Sequence, residues 1–157
     1  MLWVHFCLFY NKAMDNLTKE QRKKNMQAIR SKETKIETFV SKALWNAGIR
    51  FRKNVKDLPG KPDIALKKYK TAVFIDSCFW HKCPEHFKRP KSNNSYWDKK
   101  IERNVARDLE VNEYYKTKGW NILRVWEHQL KTKDEREKTM TEIIEFIQAA
   151  KLRKLSN

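Results

Sequence analysis

The sequence predicts an α/β domain, one mixed sheet with helices on its faces. Three observations carry that expectation. A helix-period apolar stripe runs through Lys32–Asn46, and three short apolar runs follow it, punctuated by proline and glycine. A second helix-length segment then precedes one more apolar run at Asn121–Trp126. The expected order is helix, three strands, helix, strand, helix.

Taken in order, Leu17–Ala28 is polar, basic and in part helical. In Lys32–Asn46, Ile36, Phe39, Val40, Ala43, Leu44 and Ala47 recur at three and four, giving one apolar face, and Gly48 supplies a stop. Ile49–Val55 alternates as a half-exposed strand does. Leu58-Pro59-Gly60-Lys61-Pro62 breaks any regular element and reads as a turn. Asp63–Leu66 begins a second strand and Lys67–Lys70 is a polar, hairpin-like turn. Thr71–Ile75 is the most apolar run and is expected at the sheet centre. Cys78–Asn94 has no period. Ser95–Lys118 reads as a long helix burying Ile101, Val105, Leu109 and Tyr115, with Gly119 ending it. Asp134–Lys151 is a last amphipathic helix through Met140, Ile143, Ile144 and Ile147.

With 157 residues there is room for one domain, expected over 14–151. Residues 1–13 read as a non-native upstream extension from a misplaced start, or else as a short strand or partner-binding arm, and 152–157 as a mobile tail. Met1–Tyr10 is apolar but lacks a basic leader and is too short to span a bilayer, so no export is expected and the compartment is the cytoplasm. A net charge of +16 predicts attraction to polyanions, nucleic acid first. The excess is clustered: Lys19–Lys56 holds twelve basic and three acidic residues. Clustering fits a phosphate-backbone footprint better than uniform solubilising charge. An acidic membrane surface is a weaker partner, because no basic amphipathic anchor stands out.

Cys78-x4-Cys83-x2-His86 is tight enough to hold one metal ion. Thiolate and imidazole donors without a carboxylate favour tetrahedral zinc. His128, just past the Asn121–Trp126 run, is placed to supply the fourth ligand. Four protein ligands close the site, so its role would be structural, fixing the irregular segment after Cys78. The alternative is two free thiols and solvated histidines.

Asp63 opens one expected strand and Asp76 ends the next, so adjacent strands can aim two carboxylates at one divalent cation. Magnesium wants hard oxygen ligands and keeps waters and phosphate oxygens for the rest. Hydrolysis of a phosphodiester also needs a proton donor or acceptor, for which His81 is the candidate. Taken singly, each has a plainer reading. Asp63 is a turn cap, Asp76 a loop acid, His81 a loop imidazole, Glu37 a surface acid and Asp108 an ion-pair partner of a neighbouring arginine.

These residues together resemble the very short patch repair (Vsr-type) DNA mismatch endonucleases of bacteria. The matching strings are Lys24-Asn25-Met26-Gln27-Ala28-Ile29, Leu58–Asp63, Val73–His81, Cys83-Pro84-Glu85-His86, Trp97–Ile101, Asn104–Asp108, Gly119-Trp120 and Arg124–His128. The likeness runs in order from about Lys19 to His128. It implies a restriction-endonuclease-like fold (the PD-(D/E)xK superfamily), a mixed central sheet flanked by helices. It implies nicking of duplex DNA 5′ of the thymine in T:G mispairs left by 5-methylcytosine deamination.

By the same resemblance, Asp63 would bind catalytic magnesium with the Ile75 carbonyl as a second contact. His81 would be the acid/base group supported by Asp108, and Glu37 and Asp76 would complete the acidic pocket through metal-bound waters. Cys78, Cys83, His86 and His128 would hold structural zinc. Phe79, Trp80 and Trp97 would form an aromatic wedge into the duplex, and Arg22, Lys23, Lys24 and Asn25 would touch DNA. Core burial is the rival reading for the aromatics, above all for Trp97. Asp76 stands where some relatives carry histidine, Ile75 where a threonine occurs, and the superfamily lysine near Asp76 is missing. The expected partner is double-stranded DNA with a T:G mismatch, acted on by a monomer at the bacterial nucleoid, with repair proteins as further partners. Two other readings stand beside it: a zinc-stabilised DNA-binding module without catalysis, and a restriction-type endonuclease cutting matched sites.

Overall fold

The computed structural model describes residues 18, 20, 21, 24, 34–90 and 92–156. The chain divides into two units, 1–32 and 33–157. In the first, Thr18 and Gln21 cap one another reciprocally, Thr18 N–H donating to Gln21 Oε1 and Gln21 N–H to Thr18 Oγ1. Glu20, Gln21 and Lys24 are helical. The expectations for residues 1–13 and for Arg22, Lys23 and Asn25 lie outside the described residues.

In the second unit, α1 spans Lys35–Asn46. Thr34 caps it, accepting from Glu37 N–H at 3.2 Å and donating to Glu37 Oε1 at 3.0 Å, which starts the helix at Lys35 and not at Lys32. Gly48 at φ +74° turns the chain out of the helix. The strand expected over Ile49–Val55 shrinks to β1, Arg52–Lys53. Asn54 takes a left-handed φ of 47° and ends the ladder, while Ile49 and Val55 are buried from loop positions. Then come β2 (Ile64–Leu66), a 3-10 turn at Lys67–Tyr69, and β3 (Thr71–Asp76). Helix α2 (Asn94–Thr117) leads to β4 (Asn121–Trp126), a 3-10 turn at Glu127–Leu130, and α3 (Lys133–Leu155). Helix α3 runs four residues past the Lys151 boundary read from the apolar pattern.

The sheet order is β1-β2-β3-β4. The first two pairings are antiparallel, and β3 pairs with β4 in parallel from Thr71↔Asn121 to Asp76↔Trp126. The sheet is therefore mixed and β3 lies inside it, as its apolar run predicts. Alternation along the strands gives each face its own core. On one, Val73 and Val125 meet Val40 and Leu44 of α1 and Ile143 and Ile147 of α3. On the other, Ala72 and Phe74 meet Val111 and Tyr115 of α2.

Helix α2 departs from expectation in an informative way. Ile101, Val111 and Tyr115 are buried, but Leu109 is 64% exposed. One position earlier, Asp108 takes the inward slot between Ile101 and Tyr115. The turn before β2 is pressed onto this helix. Gly60 has φ +72°, and a Cβ there would lie 2.9 Å from Val111 Cγ1 and 3.0 Å from Phe74 Cε1. Tyr115 hydroxyl donates to the Pro59 carbonyl at 3.0 Å. These contacts fix the turn that delivers Asp63. Among the described residues, no helix is long and apolar enough to cross a membrane.

Candidate active site and metal centre

Asp63 sits immediately before β2, and its Oδ2 accepts from the Ile75 N–H at 2.7 Å. The carboxylate therefore lies at the far end of β3, where Asp76 emerges. Burial pushes the Asp63 carboxyl up to about 6; the Ile75 hydrogen bond pulls it down, and the negative charges of Glu37 and Asp76 push it further up. Asp63, just before β2, thus lies within the field of Glu37 on α1 and of Asp76 at the end of β3. Carboxylate oxygens are the donors a hard divalent cation takes, but these three acids do not gather within 4.8 Å of one another as the cysteine and histidine donors below do.

His81 lies in the loop after β3, its N–H donating to the Ser77 carbonyl at 3.1 Å. Its Nδ1 is 2.6 Å from Asp108 Oδ2 and 3.8 Å from Asp76 Oδ1. Burial disfavours the imidazolium, but the Asp108 hydrogen bond and the charges of Asp76 and Asp108 outweigh it, and the His81 pKa is raised. With Nδ1 committed to Asp108, Nε2 is the nitrogen left for proton exchange with a substrate. A cavity of about 210 Å³ opens here, lined by Gly60, Phe74, His81, Asn104, Asp108 and Arg124 among others.

Arg124 joins the same group and is the residue the sequence reading misses. From β4 its Nη1 donates to both Asp76 oxygens, at 2.9 and 2.7 Å. Its Nη2 lies 3.3 Å from Asp108 Oδ1, and its Nε donates to Asn112 Oδ1 at 2.8 Å. The signal was there: a lone arginine inside the apolar run Ile122–Trp126.

The thiol and imidazole cluster adjoins this centre. Cys78 Sγ and Cys83 Sγ lie 3.3 and 3.6 Å from His128 Nδ1, and Cys83 Sγ lies 4.0 Å from His86 Nδ1. A tetrahedral zinc with ordinary Zn–S and Zn–N bonds separates sulfur from nitrogen by about 3.6 Å. Cys78, Cys83 and His128 lie close enough together to share the ion, while His86, expected as a further ligand, does not come within 4.8 Å of all three. Both cysteines are buried and His86 is exposed. On the outer side of His128, Nε2 is 3.9 Å from Glu85 Oε2, beyond hydrogen-bond distance. Glu85, His86 and His128 also form a second grouping of donors, one the spacing argument did not include.

The loop has further fastenings that the sequence did not reveal. Arg89 pairs with Asp98, and Asn104 Nδ2 donates to the Trp80 carbonyl at 3.1 Å. Phe79 packs on Trp80, Trp97 and Phe87 at centroid distances of 5.0, 5.4 and 6.1 Å, with Lys100 Nζ 4.8 Å from the Trp80 ring centre. Phe79, Trp80 and Trp97 are all half-buried, in contact with each other and open on one side, so neither full burial nor free exposure describes them. Lys24 is exposed.

Comparison with known proteins identifies the family. The family model for the DNA mismatch endonuclease Vsr matches residues 14–86. A type II nicking enzyme, V.NmeDIP of Neisseria meningitidis serogroup C, is 50% identical over 119 residues, covering 74% of this chain and 80% of the relative. V.NaeI of Lentzea aerocolonigenes, also a type II nicking enzyme, is 47% identical over 113 residues, 69% and 68% of the two chains. The DNA mismatch endonuclease Vsr of Escherichia coli K12 is 35% identical over 129 residues, 81% and 83%. At these identities and coverages, the chain belongs to the Vsr family of DNA endonucleases.

Proposed function

We propose that this chain is a magnesium-dependent endonuclease that nicks one strand of duplex DNA on the 5′ side of the thymine in a T:G mispair. The observation that carries the reading is the convergence of Asp63, Asp76, His81 and Asp108 at one end of the sheet, beside a zinc-type donor set. A pure binding module has little use for acids aimed at phosphates, because they weaken binding.

Asp63 would hold the magnesium, with the Ile75 carbonyl as a second contact and Glu37 and Asp76 completing the acidic pocket through metal-bound waters. When bound, the cation supplies stabilisation of phosphate charge and activation of water. His81, held at Nδ1 by Asp108, presents Nε2 to take a proton from water or give one to the departing oxygen. Cys78, Cys83, His86 and His128 would hold a structural zinc that fixes the loop carrying His81 and the aromatics. Phe79, Trp80 and Trp97 would insert beside the mispair. A T:G wobble stacks less well than a matched pair, so opening the duplex there costs less. The enzyme would act as a monomer in the bacterial cytoplasm, at the nucleoid.

A second reading is nicking at matched sites. The names of V.NmeDIP and V.NaeI speak of nicking and not of mismatches. Two duplexes of one sequence, one with T:G and one with T:A, separate the readings. The expected result is magnesium-dependent nicking of the T:G duplex, lost in Asp63→Ala and His81→Ala while binding persists. Indifference to the mismatch would defeat the substrate assignment, and equal nicking by the variants would defeat the residue assignments.

A further inference from the structure

Arg124 stands at the centre of the site, yet it neither faces a metal nor belongs to the acid/base pair. In the parallel β3–β4 register it lies opposite Phe74, on the sheet face that also carries Asp76. Its side chain is 19% exposed and its guanidinium carbon lies 4.6 Å from the Phe74 ring centre. Stacking and three directed contacts leave the group one arrangement, in which it spans Asp76, Asp108 and Asn112.

Two consequences follow. The first concerns His81. Its imidazole faces two carboxylates, Asp108 at 2.6 Å and Asp76 at 3.8 Å. Apart from His81 itself, Arg124 is the group among the described residues that contacts both acids. With it, one cation binds both and leaves Asp108 Oδ2 for the imidazole, since Arg124 takes the Oδ1 side. The second concerns Asp76. Both of its oxygens receive bonds from Nη1, and its side chain is 5% exposed. A divalent cation seated on that carboxylate would have to displace the guanidinium or sit beside its positive charge. Asp63 is different: its recorded backbone bond engages Oδ2.

We propose that Arg124 is the positioning residue of this site. It clamps Asp76 and Asp108 into a frame that orients His81, and it withholds Asp76 from the metal, leaving Asp63 as the principal carboxylate ligand. This rests on the endonuclease reading above. Lysine cannot substitute, because a single ammonium does not reach Asp76, Asp108 and Asn112 together.

The test uses full-length protein carrying Arg124→Met and Arg124→Lys, with urea unfolding to confirm that each is folded. Misplacing a catalytic group costs roughly 100-fold, so kcat for T:G nicking is expected to fall by about that factor in both variants. KM for the duplex should stay within about threefold, because the group lost acts on chemistry and not on binding. Manganese, titrated as a spectroscopic probe without DNA, should bind Arg124→Met more tightly than wild type, because Asp76 is released and a positive charge removed. A residue that merely supported the fold would weaken metal binding instead. Nitrogen NMR of the His81 ring, taken at a pH high enough for the ring to be neutral, supplies an arm independent of activity: wild type should show a single tautomer with the proton on Nδ1, and the variants a mixture. Weaker manganese binding in Arg124→Met, or an unchanged His81 spectrum with unchanged kcat in Arg124→Lys, would overturn the proposal. Absence of nicking by wild type would overturn the endonuclease reading alone, and the manganese and NMR results would still decide the role of Arg124.

Discussion

Replacing Asp63 with asparagine should abolish nicking and, in magnesium-free buffer, stabilise the protein. The carboxyl is pushed from an ordinary 3.8 up to about 6 by burial and by its acidic neighbours. A raised carboxylate pKa means the folded state holds its proton more tightly than the unfolded chain does. Stability attributable to this group is therefore unaffected below about pH 4, falls as pH rises from about 4 to 6, and stays reduced above that. Two pH units at about 1.4 kcal/mol each bound the penalty near 3 kcal/mol, and solvent relaxation brings the expected value to about 1–3 kcal/mol. Asparagine keeps an oxygen to accept the Ile75 N–H and never ionises, so it escapes the penalty. Urea unfolding of wild type and Asp63→Asn, zinc retained and magnesium absent, should show the variant more stable at pH 7.5 and the two converging near pH 4. Added magnesium should stabilise wild type and leave the variant unmoved. A variant less stable than wild type at pH 7.5, or stabilised equally by magnesium, would refute the reasoning.

Metal analysis of unchelated wild type should find about one zinc per chain; Cys83→Ser should lose it and about 3 kcal/mol or more of stability in urea. His86→Ala should be milder, because His86 is exposed and sits farthest from its sulfur partner. Gly60→Ala should cost about 1–3 kcal/mol, from a left-handed φ and a Cβ pressed on Val111. Part of that loss should return in the double variant with Val111→Ala, measured as a coupling by urea unfolding.

The helices and the interior strand were legible because their apolar period was unbroken: Val40 and Leu44, Val73, and Ile143 and Ile147 all face the core their spacing assigned. The strand at Ile49–Val55 was not, because apolar residues buried from a loop imitate a strand pattern and the left-handed Asn54 leaves no trace in hydrophobicity. Leu109 was misplaced for a related reason. The helix presents Asp108 inward, and an apolar pattern cannot register a buried charge whose partners lie elsewhere in the chain. The same holds for the site. Asp63, Asp76, His81, Cys78 and Cys83 lie along one stretch of sequence, so spacing and resemblance could name them as candidates. Arg124 and Asn112 come from distant elements, and only the parallel β3–β4 register brings the arginine to Asp76.

That register has a protector in the ion pair itself. Sliding β4 along β3 by two residues would preserve which side chains face which helix, so oil-and-water sorting alone would tolerate the error. It would also carry the guanidinium about 7 Å from its carboxylate, stranding a charge in a nearly dry pocket. Asp76 and Arg124 therefore act as a proofreading latch for strand assembly: the misaligned sheet is penalised before any DNA is met.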